Sequence, residues 1–160
     1  AAIKGAPRLV APITIPEFDP QAAAKARAAR GKLVAALQER FAGMITYEAR
    51  DSSKLEVNAA LYGRRFGDGE LAALTPLADD IVRLDLSGTA VTDASANLLP
   101  KMQSLRQLRL LDVPAMTGAA LKALPALKNL KSVATNGPVP EEIADALRAR
   151  KIILYRGSDG

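Results

Sequence analysis

Residues 81–104, IVRLDLSGTAVTDASANLLPKMQS, carry a pattern that recurs before and after them at nearly fixed spacing. Ile81, Leu84 and Leu86 have the spacing of a short buried strand, Val91 marks a corner, and Ala96, Leu99 and Met102 continue at helical spacing. The stretch reads as one turn of a repeating unit made of a strand, a corner and a short helix.

The repeat can be counted outward from it. Strand starts at Ile81, Leu105 and Leu130 lie 24 and 25 residues apart. With Phe66, Val91, Met116 and Val139 as corners, the fifth, eighth and eleventh positions beyond them give three triads: Leu71, Leu74, Leu77; Ala96, Leu99, Met102; and Leu121, Leu124, Leu127. Each triad is an i, i+3, i+6 stripe, which predicts a short helix burying one face. Gly67-Asp68, Thr92-Asp93, Thr117-Gly118 and Pro140-Glu141-Glu142 follow the corners as helix starts. The predicted strand cores are LEV at 55–57, LDL at 84–86, LRL at 108–110, VAT at 133–135 and IIL at 152–154. Strand, turn, short helix and return imply a parallel sheet on one side with helices on the other, Leu84, Leu108 and Val133 standing side by side. The fourth unit is degenerate, with Thr135 in place of the second strand leucine, as a terminal unit should be.

Upstream, Pro7, Pro12, Pro16 and Pro20 forbid a helix over the first twenty residues. Ile3, Leu9, Val10, Ile13, Ile15 and Phe18 lie between them, so this arm is expected to follow an apolar surface, either its own domain's or a partner's. Asp19 as N-cap and Pro20 as first helical residue start a helix expected to reach about residue 42, with Ala22, Ala26, Ala29, Leu33, Leu37 and Phe41 as its apolar face. Gly31 in its interior costs about 1 kcal/mol relative to alanine. After Gly43, MITYEA at 44–49 and KLEVN at 54–58 read as a hairpin joined by RDSS at 50–53. The organisation expected is an extended arm (1–19), a capping helix and hairpin (20–54), and a repeat region (55–160).

Composition narrows the chemistry. The 160 residues suffice for one domain with a core, and no run of eighteen apolar residues suggests a transmembrane helix. Cysteine and histidine are both absent, which removes from this chain disulfides, the usual zinc sites, haem attachment through CxxCH and any mechanism needing an imidazole or thiolate. No enzyme activity and no cofactor are expected. The net charge of +5 is confined to residues 1–65, which hold eleven bases against six acids; the remaining 95 residues hold eleven of each. Attraction to an acidic partner is therefore a property of the N-terminal third. Lys25, Arg27, Arg30 and Lys32 are scattered around the helix wheel without an aromatic among them, and read as a solvated face rather than a nucleic-acid or membrane site. Tyr47, Tyr62 and Tyr155 are too scattered to stack on bases.

VRLDLSGTAVTDASANLLPKMQSLRQLRL resembles a bacterial leucine-rich repeat of the form LxxLxLxxCxxITDxxLxxL, with Thr89 where that subtype has cysteine and Val91-Thr92-Asp93 standing for ITD. The resemblance covers about residues 55–155 and implies protein binding through the exposed face of the sheet. A narrower one is carried by the basic Ala-rich helix, SSKLEVN and FGDGELAALTPLADDIVRLDLSGTAVTD. That order resembles repeat regions fused behind c-type cytochrome domains in exported bacterial proteins. It implies an accessory part of such an assembly in a periplasmic or other extracytoplasmic compartment, without haem of its own. The fold class expected is thus α/β: a short leucine-rich repeat solenoid with an N-terminal helix and hairpin cap and an extended arm.

Strand alternation sends Arg83, Asp85 and Ser87, then Gln107, Arg109 and Leu111, then Ser132, Ala134 and Asn136 to the outer face. They form either a recognition surface, with Leu111 its one apolar member, or a set of cross-strand ion pairs such as Asp85 with Arg109. Arg64 and Arg65, in the enlarged turn of residues 63–69, are docking candidates for an acidic partner. Asp79-Asp80 and Glu141-Glu142 diverge as neighbouring acids do and are not expected to bind metal. The function expected is a non-enzymatic protein-interaction module, with Arg83, Asp85, Gln107, Arg109, Leu111, Arg64 and Arg65 at its docking surface. The alternative is a structural accessory subunit of an extracytoplasmic electron-transfer or membrane-associated complex. Neither nucleic acid nor a membrane span enters, and the partner expected is a protein with an acidic surface, a membrane complex or cytochrome among the candidates.

Overall fold

A computed structural model describes residues 19–157; the arm expected over 1–19 lies, but for Asp19, outside the described residues. The protein is α/β, with six strands in the order β1-β2-β3-β4-β5-β6 and several short helices. β1 (Ile45–Tyr47) pairs antiparallel with β2 (Leu55–Asn58), and β2, β3 (Ile81–Asp85), β4 (Gln107–Leu110), β5 (Ser132–Thr135) and β6 (Ile153–Arg156) follow in parallel. Among the described residues no helix is long and apolar enough to cross a membrane.

Helix α1 (Pro20–Arg40) begins as its sequence dictates: Asp19 Oδ1 accepts from the N–H groups of Gln21 (2.9 Å) and Ala22 (3.2 Å), satisfying two donors left free in the first turn. It ends where Phe41 leaves helical backbone and Gly43 takes φ +78°, a left-handed turn that favours glycine. Its buried residues are Val34, Leu37 and Phe41, whereas Leu33, Ala22, Ala26 and Ala29 are exposed, so the expected face is rotated. The cause is that Arg27 and Arg30 lie on the packed side. Arg27 stacks over the Tyr47 ring at 3.7 Å and donates to the carbonyl of Arg50; Arg30 donates to the Pro76 carbonyl at 2.6 Å and pairs with Asp80 at 3.2 Å. These two arginines tie the helix to β1 with its following turn and to the 3-10 turn Thr75–Asp80 instead of forming a solvated face.

The interior follows from the strands. Leu84 is opposite Leu108, which is opposite Val133, and all three are essentially inaccessible. Each such buried side chain contributes about 1.5–3 kcal/mol relative to exposure. Between β2 and β3 the register shifts after Leu55, since Leu55 pairs with Ile81 but Glu56 with Arg83; Val82 is the extra residue, which explains two consecutive buried side chains in an otherwise alternating strand.

The return segments carry the short helices expected of them, and most of these are of the 3-10 kind. Residues 68–80 comprise α2 (Asp68–Ala73) and a 3-10 turn (Thr75–Asp80); the next return has only 3-10 turns (Asp93–Ser95, Leu99–Lys101); the third pairs a four-residue α3 (Gly118–Leu121) with a 3-10 turn (Leu124–Ala126). An i, i+3, i+6 stripe has a period of three, which is that of the 3-10 helix, and Pro76, Pro100 and Pro125 fall within the first two residues of those turns. Leu71, Leu74, Leu77, Leu99, Met102, Leu121, Leu124 and Leu127 are buried as the stripe requires. Helix α4 (Glu141–Ala149) is amphipathic, with Ile143, Ala144 and Leu147 inward and two acids in the first turn. Strand β6 starts one residue later than expected, because Ile152 is held in the core by its N–H bond to the Leu147 carbonyl (2.9 Å).

The corners are fastened by hydrogen bonds about 24 residues apart. Asp68 receives the N–H (2.9 Å) and hydroxyl (2.6 Å) of Thr92, and Asp93 the N–H (2.7 Å) and hydroxyl of Thr117. Asp112 and Asn136 exchange two bonds of 2.8 Å. Thr89, fully buried, donates to the Leu86 carbonyl at 2.6 Å, so its hydroxyl is satisfied without leaving the core.

Candidate functional site

Among the described residues, the sheet has one face covered by the return segments and one open. The open face is built in rows: Thr46, Glu56, Arg83, Gln107, Ser132 and Ile153 in one, and Asn58, Asp85, Arg109, Ala134 and Tyr155 in the next. Strand pairing fixes these side chains about 5 Å from their cross-strand neighbours. Arg83 pairs with Glu56 at 3.2 Å, Arg109 with Asp85 at 3.8 Å, and Arg106, at the foot of β4, with Glu48 at 2.6 Å. The Asp85–Arg109 pair is thus where the strand alternation placed it.

Around the first two of these pairs lies a hollow of about 320 Å³ lined by Thr46, Glu56, Asn58, Arg83, Asp85 and Arg109. Four of the expected docking residues, Arg83, Asp85, Gln107 and Arg109, therefore share one surface. Arg64 and Arg65 do not. They end the 3-10 segment Ala59–Arg65, where Arg64 donates to the Thr89 carbonyl (3.0 Å) and Arg65 lies over the Tyr62 ring at 5.4 Å. Arg64 instead lines a separate cleft of about 600 Å³ at the corner side, with Asp112, Met116 and Asn136. Leu111 falls one residue past β4 and is half-buried, its N–H held by the Ser87 hydroxyl at 3.1 Å.

Leu111 is also not the only apolar group on the open face. Ile153 and Tyr155 on β6 are more than half exposed there. Centring the last strand on IIL obscured them, although alternation along ILYR sends both outward. Glu56 and Glu48 were missed too; the first was legible once LEV was a strand, whereas the contact of Glu48 with Arg106, 58 residues away, has no local signal.

Chemically the open face is a set of fixed donors and acceptors. Its carboxylates are engaged by guanidinium groups, and among the described residues no three acidic, histidine or cysteine side chains converge as metal ligands would. The carboxyls whose affinity for protons is shifted lie elsewhere. Burial alone would raise Asp68, but bonds from the Ser95 hydroxyl, the Thr92 hydroxyl and the Thr92 N–H outweigh it and hold the carboxyl below the usual range. Asp93 is lowered first by the Thr117 hydroxyl; burial opposes this, and the N–H groups of Thr117 and Ala120 add to the lowering. Glu70 is lowered too, first by the Gly67 N–H that it accepts at 2.9 Å, and all three carboxyls lie at helix starts rather than on the open face.

Comparison with protein-family models, with curated proteins and with solved structures returns no match.

Proposed function

We propose that this chain is a short leucine-rich solenoid that acts as a non-enzymatic protein-interaction module, docking a partner on the open sheet face. The observation that carries the reading is the cluster of Glu56, Arg83, Asp85 and Arg109 around a single hollow, held by three neighbouring strands. A sheet whose backbone is already fixed loses little conformational freedom on binding, so its side chains contribute affinity with a small ordering cost. The alternating signs set specificity: a partner must match two positive and two negative positions at defined spacing, and a mismatch leaves a charge opposed.

The basic surplus of the N-terminal third acts at longer range. Part of it is spent internally, since Arg27, Arg30 and Arg64 hold backbone carbonyls, while Lys25, Lys32 and Arg65 remain at the surface. These exposed bases attract a partner with an acidic surface and raise its rate of encounter.

The test is affinity capture from the cells that make the protein, run in parallel with wild type and with Arg83→Glu combined with Arg109→Glu. A partner retained by the first and lost by the second supports the reading. A partner that ignores both reversals but is lost when the exposed Lys122, at the end of α3 in a return segment, is reversed overturns docking on the open face.

A further inference from the structure

The sheet ends at β6, whose outer edge has no strand against it among the described residues. The Ile153 N–H donates to the Lys131 carbonyl (2.9 Å) and the Gly157 N–H to the Thr135 carbonyl (2.8 Å). Alternation along the strand then directs the N–H and C=O groups of Leu154 and Arg156 to the open side, where a further strand would satisfy them. On the outer face Ile153 is 54% and Tyr155 57% exposed, a pair of large apolar side chains next to backbone that no described strand pairs. On the inner side, between α4 and β6, a hollow of about 340 Å³ has a floor of Ala144, Ile152 and Leu154 and is flanked by Arg148 and Arg156. Polar backbone, apolar side chains on both faces and an adjoining void thus coincide on one edge.

We propose that β6 receives an added strand from a partner protein: an extended segment alternating apolar and acidic residues. One of its apolar side chains enters the hollow over Leu154 while its backbone bonds Leu154 and Arg156, in the manner of strand addition to a sheet edge. Charge selects this occupant. Residues 145–156 hold four bases, Arg148, Arg150, Lys151 and Arg156, against the single acid Asp145. Two copies meeting edge to edge bring these bases together, whereas a segment carrying carboxylates neutralises them. This surface is distinct from the open-face cluster, which lies on the strands at the other end of the sheet, and it stands or falls separately.

The experiment is amide hydrogen exchange on the full chain with two synthetic seven-residue probes, one alternating glutamate with valine and one alternating lysine with valine. The acidic probe is expected to slow exchange at Leu154 and Arg156 and to leave Ile153, whose N–H already bonds β5, little changed. Arg148→Glu with Arg156→Glu, both at exposed positions, should weaken that probe by about tenfold and admit the basic one. Absence of slowing at Leu154 and Arg156 with millimolar acidic probe overturns the proposal, as does equal slowing by both probes. Slowing that depends on protein concentration without any probe overturns it in favour of a second copy at the edge.

Discussion

Asp68 holds Thr92, 24 residues further along the chain, through both the backbone N–H at 2.9 Å and the side-chain hydroxyl at 2.6 Å. Asp93 and Thr117 repeat the arrangement, so a carboxylate fastens the first corner to the second and the second to the third. Charge-assisted bonds of this kind are stronger than neutral ones, and each fixes a long loop rather than a local turn. Replacing Asp68 by alanine leaves the Thr92 and Ser95 groups without their acceptor and is expected to destabilise the fold by about 1–3 kcal/mol. Thr92→Val alone should cost about 1 kcal/mol. Urea denaturation of both single variants and the double variant measures the coupling; strictly additive losses would mean that the two residues do not support each other.

The same carboxylates set a dependence on pH. Asp68 and Asp93 both have folded-state affinities for protons lowered from the ordinary value of 3.8. A depressed carboxyl contributes stability that is present above its unfolded value and is lost as pH falls through the folded one. The protein should therefore keep its stability near neutrality and lose it below about pH 3.8. Asp68→Asn should be less stable than wild type at neutral pH, and the gap should narrow on acidification. Denaturant midpoints across that range check the sign, and a gap that widens in acid would reverse it.

Adjacent residues of β4 face opposite ways. Leu108 is 1% exposed between Leu84 and Val133, while Arg109 stands on the open face in an exposed pair with Asp85. Leu108→Ala is expected to cost about 2–5 kcal/mol, as for a buried leucine. Arg109→Ala should cost at most about 1 kcal/mol. Thermal or chemical unfolding of the two variants separates them, and similar losses would show that the strand faces are exchanged.

Gly31 sits inside α1, and a methyl group added there meets no atom within 4 Å. Gly31→Ala should raise stability by about 0.5–1 kcal/mol through the lower backbone entropy of the unfolded chain and better helix propensity. A fall in the unfolding midpoint would indicate a contact at that position that the packing of α1 does not suggest.

The parallel strands were legible because leucines recur at a spacing that only one register satisfies: Leu84, Leu108 and Val133 had to align for any of them to be buried. The rotation of α1 was not legible, because alanine is nearly indifferent to burial and arginine reads as solvent-facing. Arg27 and Arg30 reach carbonyls on Arg50 and Pro76, 23 and 46 residues away, and no local pattern announces such contacts. The 3-10 returns were concealed for a related reason, since apolar residues three apart satisfy a short α-helix equally well. Asp68 and Asp93 had the look of ordinary helix-start residues, and their reach to Thr92 and Thr117, each 24 residues on, has no local signal. At the open face, alternation found Arg83, Asp85, Gln107 and Arg109, whereas Arg64 and Arg65 were docking candidates on charge alone, in the turn of residues 63–69. Those two lie beyond the strands, where a glycine with φ +55° at position 63 turns the chain away.

The most direct measurement replaces Gln107, exposed between Arg83 and Ser132 on the open face, with a photo-crosslinking residue, and does the same in parallel at Lys122, at the end of α3 in a return segment. Illumination in the cells that make the protein should join Gln107 to one discrete partner band that is absent with Arg83→Glu and Arg109→Glu, and leave Lys122 unlinked to it. The same band from Lys122 and none from Gln107 would contradict the claim that the open sheet face is where this protein binds.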